Sequence, residues 1–146
     1  MLSDAISAYM TPNPVCVQRT ATIAQAWRLM TEKKARHLPV IDGERLVGVL
    51  SQRDLLKLET VVNVDRMNDP VSDAMSNRPY AVSPQARLDE VVLEMARHKM
   101  GCAVVARAGQ VLGVFTTTDA LRALAGFIEA ARGEPIGGRA LRAEPK

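Results

Sequence analysis

Apolar residues follow two spacings along this chain, and the spacings alternate in the same order in both halves. In the first half, Ile23, Ala26 and Met30 lie three or four positions apart, which is the spacing of one face of a helix. Two short apolar runs come next, at 38–41 and 46–50, separated by an Asp-Gly turn sequence that favours a β-hairpin. The pattern therefore predicts a helix followed by two antiparallel strands.

Polar residues indicate where these elements begin and end. An extended segment is predicted at 14–17, and the spacing of Thr22 and Gln25 is that of a capping box that opens a helix. We expect that helix to end near Ala35 and a second helix to begin at Asp54. The predicted order of the first half is strand, helix, strand, strand, helix.

The second half repeats this order. We predict strands at 80–82, 102–105 and 111–115 and helices at 84–99 and 119–131, the first helix beginning at a proline. A strand that returns to its own sheet through a helix implies a right-handed crossover. Each half is therefore predicted to be a small three-stranded sheet with both helices on one face, an α/β (α+β) unit.

The two halves are also similar residue by residue. A shift of 65 positions aligns 10–56 with 75–121 without a gap, and eleven of the 47 aligned pairs are identical. Unrelated segments of ordinary composition would share about three. Two packed repeats would create one shared core and two related clefts. Within one globular module we predict an N-terminal segment at 1–9, a first repeat at 10–60, a linker at 61–74, a second repeat at 75–131 and a mobile tail at 132–146.

Composition narrows the functional classes. No apolar run reaches the roughly 18 residues of a membrane span, so we expect no membrane contact and a soluble, cytoplasmic protein. The net charge is +3 and aromatic residues make up 3% of the chain, without the concentrated basic face or stacking aromatics of nucleic-acid-binding proteins. Cys16 and Cys102 lie in apolar segments, which is typical of buried thiols in a reducing compartment.

One motif with chemical potential occurs in both repeats. It reads Gly-x-x-[Ser/Thr]-x-x-Asp and contains Ser51 and Asp54 in the first repeat, Thr116 and Asp119 in the second. A hydroxyl three residues before a carboxylate is a common helix cap, a role that needs no ligand. The same helix N-terminus offers N–H donors to a phosphate, and the carboxylate can accept both hydroxyls of a ribose. The motif therefore indicates either a cap or a nucleotide site.

The order of the motifs resembles that of a known family. Segments 10–15 and 35–43, together with the two Gly-x-x-[Ser/Thr]-x-x-Asp elements, look like a tandem pair of cystathionine-β-synthase (CBS) domains, the Bateman module. The resemblance covers 10–124. It implies two βαββα repeats packed through their sheets with pseudo-two-fold symmetry, clefts for adenosyl ligands such as AMP, ADP, ATP or S-adenosylmethionine, and pairing into a homodimer.

In that family the ribose carboxylate of a cleft comes from one repeat and the base contacts from the other. Carried over by position, the resemblance implies a first, favoured site made of Val15, Ala35, Arg36, His37, Val114, Thr116, Thr118 and Asp119. It implies a second site made of Val49, Ser51, Arg53, Asp54, Tyr80, Met100, Gly101 and Cys102. The first site ranks higher because Gly101 and Cys102 replace the cationic pair Arg36 and His37 in the second.

We expect no catalytic set and no metal site. The two His and two Cys residues lack a metal-ligand spacing, and no phosphate-binding lysine loop is present. The leading hypothesis is a regulatory module, not an enzyme, that binds an adenine nucleotide or S-adenosylmethionine and transmits occupancy to an unidentified protein partner. The alternative is a constitutive homodimerisation or scaffold module with vestigial clefts. A third hypothesis, an RNA- or DNA-associated regulator, would depend on the basic tail after 131.

Overall fold

Each repeat folds in the predicted order of strand, helix, strand, strand, helix. The computed structural model describes residues 4–61 and 63–133. The first repeat is preceded by β1 (Thr11–Pro12) and contains β2 (Val17–Gln18), α1 (Ile23–Lys33), β3 (His37–Asp42), β4 (Arg45–Ser51) and α2 (Gln52–Leu58). The second contains β5 (Ala81–Val82), α3 (Leu88–His98), β6 (Cys102–Arg107), β7 (Gln110–Thr116) and α4 (Thr117–Ala131). Most of the predicted mobile tail, 134–146, lies outside the described residues.

Local hydrogen bonds set the ends of α1 and α3. The N–H of Gln25 donates to Thr22 Oγ1 at 3.2 Å and the N–H of Thr22 donates to Gln25 Oε1 at 2.9 Å. The predicted capping box of α1 is thus confirmed. Both α1 and α3 end in a left-handed lysine, Lys34 and Lys99, whose positive φ turns the chain toward the following strand.

The start of α3 differs from the prediction. The N–H of Ala86 donates to the carbonyl of Ser83 at 3.0 Å, which closes a turn around Pro84. The helix begins only at Leu88. The predicted helix start at Pro84 is therefore wrong, because proline suits the second position of a turn as well as the first position of a helix.

The two repeats share one seven-stranded sheet. Strands β2-β3-β4 of the first repeat meet β7-β6-β5 of the second, and β1 pairs with β7. Within the repeats, β3–β4 and β6–β7 are antiparallel hairpins, while β2 and β5 run parallel to β3 and β6. The repeats meet where Arg45 pairs with Gln110 and the N–H of Leu46 donates to the carbonyl of Gly109 at 2.8 Å. The strand order reads the same from either end, in agreement with the predicted pseudo-two-fold arrangement.

Alternate residues of β6 pack on opposite faces of the sheet, as the two-residue period of a strand requires. Ala103 and Val105 belong to the core that α3 and α4 cover. Cys102 and Val104 pack against Val49 of the first repeat. In each half of the sheet, one face is covered by the helices of that repeat. The other faces of the two halves pack against each other and form the interface between the repeats.

Two equivalent segments pack on the repeat opposite to the one they precede. Ile6 is fully buried in the core of the second repeat, where its N–H donates to the carbonyl of Ala86 at 2.8 Å. Val71, which lies 65 positions later, is fully buried in the core of the first repeat and donates to the carbonyl of Ala21 at 2.7 Å. The chain therefore crosses between the repeats just before each of them begins.

Candidate functional site

The two Gly-x-x-[Ser/Thr]-x-x-Asp elements lie where β4 leads into α2 and β7 leads into α4. In the first, the N–H of Asp54 donates to Ser51 Oγ at 3.0 Å and the N–H of Ser51 donates to Asp54 Oδ2 at 2.9 Å. In the second, the corresponding distances between Asp119 and Thr116 are 3.4 and 2.9 Å. Both carboxylates therefore cap helices, which begin two residues earlier than predicted because each Asp is the third helical residue.

The glycine of each element lies under a crossing segment of the chain. A Cβ atom on Gly48 would lie 2.6 Å from the carbonyl oxygen of Ser76, and one on Gly113 would lie 2.9 Å from the carbonyl oxygen of Thr11. Methionine side chains, Met75 and Met10, also contact these positions. The sequence predicted a close approach at both glycines, and the groups that approach are a backbone carbonyl and a methionine side chain.

The crossing segments connect the carboxylate of one repeat with the first strand of the other. Thr11 pairs with Val114 of β7, and the chain then runs through Val15 into β2 of the first repeat. Ser76 forms a bridge with Val49 of β4, and the chain then runs toward β5 of the second repeat. The carboxylate of Asp119 therefore contacts a segment that enters the opposite repeat, whereas the equivalent segment near Asp54 pairs with Val49 on the strand that precedes it.

Asp119 is buried, with an exposed fraction of 7%. Its Oδ2 accepts hydrogen bonds from the N–H of Thr116 at 2.9 Å and from Thr116 Oγ1 at 3.1 Å. Its Oδ1 accepts one from Thr11 Oγ1 at 3.1 Å and lies 3.8 Å from Arg122 Nη1. Sequence reasoning missed Thr11 and Arg122 as neighbours of Asp119. The repeated Met-[Thr/Ser] before the first strand of each repeat was the available signal for Thr11.

Asp54 is partly exposed and has fewer partners than Asp119. Its Oδ2 accepts the hydrogen bond from Ser51, and within the described parts of the chain Oδ1 accepts none. The side chain of Arg53, which the sequence placed in the same site, is exposed. The carboxylate of Asp54 therefore keeps an oxygen with acceptor capacity toward solvent.

His37, which the resemblance assigns to the Asp119 site, contacts residues assigned to the other site. It pairs with Ser51 across the β3–β4 hairpin, and a Cβ on Gly101 of the second repeat would lie 3.0 Å from its Nε2. Burial lowers the pKa of His37, the carboxylate of Asp54 opposes that shift, and Arg36 adds to it. Ser51, Gly101 and Asp54 all belong to the second predicted site, so the structure places His37 beside that site. Its assignment to the Asp119 site stays a prediction.

Backbone contacts join the residue before each hairpin to the nearby helix. The N–H of Gln52 donates to the carbonyl of Arg36 at 2.8 Å, and the N–H of Thr117 donates to the carbonyl of Gly101 at 3.2 Å. Arg36 and Gly101 therefore contact the helix start of their own repeat. Their assignment to the ligand site of the opposite repeat stays a prediction. The side chain of Thr118 is exposed on the first turn of α4.

The remaining predicted residues divide between two kinds of environment. Val49, Cys102 and Val114 pack together in the interface between the repeats. Four others lie at the edges of the helix-covered cores, and these are Val15, Ala35, Tyr80 and Met100. The residues predicted to contact the base therefore all belong to, or pack against, apolar clusters.

Cys102 has no nucleophilic character in this environment. Burial raises its pKa to about 12, and the nearby Asp119 carboxylate acts in the same direction. Across residues 4–61 and 63–133, no group of three or more His, Cys, Asp or Glu residues could hold a metal ion. In the same residues, no helix is long and apolar enough to cross a membrane.

Comparison with protein families identifies both repeats. The CBS domain family matches residues 6–60 and 71–126. The chain belongs to the CBS domain family. Both matched ranges include the segments that cross between the repeats, beginning at the equivalent residues Ile6 and Val71.

Solved structures of CBS pairs share this fold along most of their length. A protein assigned to acetoin utilization (AcuB) from Vibrio cholerae is 30% identical with a TM-score of 0.81, over 91% of this chain and 98% of that one. CBSX2, solved in complex with AMP, is 29% identical with a TM-score of 0.72, over 82% of this chain and 95% of that one. The CBS domain pair of MJ0100, solved with 5'-methylthioadenosine and S-adenosylmethionine, is 18% identical with a TM-score of 0.78, over 86% of this chain and 99% of that one.

A curated relative is much longer than this chain. Inosine-5'-monophosphate dehydrogenase of Korarchaeum cryptofilum is 32% identical over 106 residues, which are 72% of this chain and 21% of that enzyme. This chain therefore spans about a fifth of the length of that relative. The dehydrogenase activity is a property of that relative and is not assigned to this chain.

Proposed function

We propose that this CBS pair is a regulatory module that binds an adenine nucleotide or another adenosyl ligand, AMP, ADP, ATP or S-adenosylmethionine, between its repeats. One observation carries the proposal. Asp54 and Asp119 each lie at a helix start, and the strand that leads into that helix pairs with a chain segment that enters the opposite repeat. The AMP complex of CBSX2, which is 29% identical over 82% of this chain, supports this ligand class.

In the proposed binding mode, each group has a role set by its chemistry. A carboxylate accepts hydrogen bonds from the sugar hydroxyls, and the capping hydroxyls with the first N–H groups of α4 face the phosphate. The apolar residues Val15 and Ala35 contact the base in the Asp119 cleft, and Tyr80 and Met100 do so in the Asp54 cleft. Arg36 supplies positive charge near the phosphate of the favoured Asp119 cleft, and His37, whose pKa is lowered by burial, offers a neutral imidazole that can bond to the ligand.

The module acts without catalysis in this proposal. Ligand binding changes the angle between the repeats, and a partner protein responds to that change. A ligand can shift such an equilibrium only through its different affinity for the two arrangements. We place the module in the cytoplasm, where adenosyl ligands are available and thiols such as Cys16 and Cys102 stay reduced.

Pairing of two copies is the second element of the proposal. Large apolar side chains remain exposed on α2 and α4, with exposed fractions of 51% for Leu56, 62% for Leu121 and 56% for Leu124. We propose that these helices pack against a second copy of the chain. A constitutive homodimer whose clefts bind nothing is the alternative function, and the same exposed residues would support it.

A thermal-shift panel tests the ligand proposal. The panel contains AMP, ADP, ATP, S-adenosylmethionine, NAD and GTP, with the whole chain as target. A ligand at about 100 times its Kd stabilises the folded state by about 2.7 kcal/mol, which raises Tm by roughly 5 to 10 °C in a domain of this size. We expect at least one adenosyl ligand to give such a shift. Unchanged melting curves at millimolar ligand, together with a stable dimer, would support the scaffold alternative instead.

A further inference from the structure

The hydroxyl of Thr11 occupies an acceptor position on the Asp119 carboxylate. Thr11 Oγ1 donates to Oδ1 at 3.1 Å, Arg122 Nη1 lies 3.8 Å from the same oxygen, and Thr116 donates twice to Oδ2. A carboxylate offers about four lone-pair positions to donors. Asp119 therefore has a partner near each of them, and a sugar that donates two hydrogen bonds has to displace one.

Thr11 is the partner that can leave most easily. The bonds from Thr116 belong to the capping box of α4, so their loss would also weaken the helix start. Thr11 is exposed, and its side chain makes a single hydrogen bond to Asp119. Its backbone stays paired with Val114 and close to Gly113. A rotation of the side chain releases Oδ1 while the hydroxyl remains within reach as a tethered competitor.

We propose that Thr11 sets the sugar specificity of the Asp119 cleft by competing with one ribose hydroxyl for Oδ1. This inference rests on the proposed function. A ribose that brings both hydroxyls displaces Thr11 and gains only the difference between two hydrogen bonds. A deoxyribose without the hydroxyl aimed at Oδ1 leaves Thr11 in place, so that oxygen keeps its donor. The natural chain therefore discriminates weakly between the two sugars in this cleft.

The Asp54 cleft has no equivalent competitor in the described residues. Ser76 occupies the position equivalent to Thr11, and its Oγ accepts a hydrogen bond from the N–H of Arg78 at 3.4 Å. Asp54 Oδ1 accepts no hydrogen bond there. The competition is thus a property of one repeat, and it can be measured in a chain whose Asp54 site is weakened by Asp54→Asn.

The experiment is calorimetric titration of the whole chain in the Asp54→Asn background. The probes are adenosine, 2'-deoxyadenosine and 3'-deoxyadenosine. Thr11→Val removes the hydroxyl and keeps the β-branched shape that suits strand β1. We expect it to bind adenosine about 10-fold more tightly, equal to about 1.4 kcal/mol, while the affinity for one deoxy probe stays unchanged. The preference for ribose over that probe then rises about 10-fold.

Two variants serve as controls. Thr11→Ser restores the hydroxyl and should return both affinities to those of the natural residue. Thr31→Val removes an exposed threonine hydroxyl that bonds to the carbonyl of Trp27 on α1, and it should change neither. If valine disturbs β1, Thr11→Ala gives the same test of the hydroxyl.

Two results would overturn the inference in different ways. Weaker adenosine binding in Thr11→Val, or an equal change for all three nucleosides, would mean that Thr11 contacts the ligand or supports the fold and does not compete. Failure of every adenosyl compound to bind the natural chain would overturn the proposed function, and this inference with it.

Discussion

Asp54 and Asp119 hold equivalent positions in two repeats, yet their surroundings differ. Both cap a helix through the same pair of hydrogen bonds. Asp119 is buried, has partners on both oxygens and lies in the first turn of a helix of 15 residues. Asp54 is partly exposed, has hydrogen bonds on one oxygen among the described residues, and lies in the first turn of a helix of 7 residues. Two carboxylates with the same capping role can therefore differ in how they bind a ligand.

The capping motif and the neighbouring residues determine different properties of each carboxylate. The motif fixes the position of the carboxylate at the helix start. The crossing segment fixes its burial and its occupied acceptor positions, because Thr11 bonds to Asp119 while Ser76 bonds to the N–H of Arg78. Asp119 is thus more rigidly oriented, although a ligand has to displace Thr11 from its Oδ1, and Asp54 is more accessible.

The largest expected effect is the loss of ligand affinity in Asp119→Ala. Removing the acceptor of two charge-assisted hydrogen bonds should weaken AMP binding about 100-fold, or about 3 kcal/mol. Asp54→Ala should cost less, because its carboxylate is less rigidly oriented. Calorimetric titration of AMP into each variant measures the difference. Equal losses in the two variants would contradict the ranking of the Asp119 site above the Asp54 site.

Next in size is the effect of a side chain at the glycines under the crossing segments. Gly48→Ala and Gly113→Ala should each lower the free energy of unfolding by about 1 to 3 kcal/mol, because the new Cβ meets backbone carbonyl oxygen. Gly101→Ala is the matched control, since its Cβ meets only the His37 side chain, which can move. Chemical denaturation measures all three, and a similar cost at Gly101 would argue against the role of the backbone crossing.

A smaller effect is expected from the capping hydroxyls. Ser51→Ala should cost about 1 kcal/mol of stability. Thr116→Ala should cost more, because its hydroxyl also donates to the buried Asp119 carboxylate at 3.1 Å. Denaturation of both variants at the same pH tests this order. A larger cost at Ser51 would contradict the distinction between a buried and a partly exposed carboxylate.

The smallest effect concerns pH and His37. Burial lowers its folded-state pKa below the unfolded value of about 6.5, so the unfolded chain binds the extra proton first as pH falls. Its contribution to stability is therefore fully present above about pH 6.5 and is lost as pH falls through 6.5 toward the folded-state pKa. His37→Gln should reduce the slope of stability between pH 7 and 5. Chemical denaturation between pH 7 and 5 measures this slope, and an unchanged slope in His37→Gln would contradict the effect of burial on His37.

The local sequence predicted much of the fold, but it did not predict the contacts between residues far apart in the chain. The order of elements, the Thr22 capping box and the close approach at Gly48 and Gly113 depend on neighbours in sequence or on the missing Cβ. The hydrogen bond from Thr11 to Asp119 joins residues 108 positions apart, and no local pattern fixes such a contact. The burial of Ile6 in the second repeat has the same origin, since it depends on how the repeats dock.

We propose that the two capping carboxylates bind a sugar-linked ligand between the repeats. The most direct measurement is calorimetric titration of AMP into the natural chain and into the double variant Asp54→Asn/Asp119→Asn, whose amide oxygens can still cap the helices. We predict measurable binding to the natural chain and none to the double variant at the same protein concentration, with both equally folded. Undiminished binding to a folded double variant would contradict the claim.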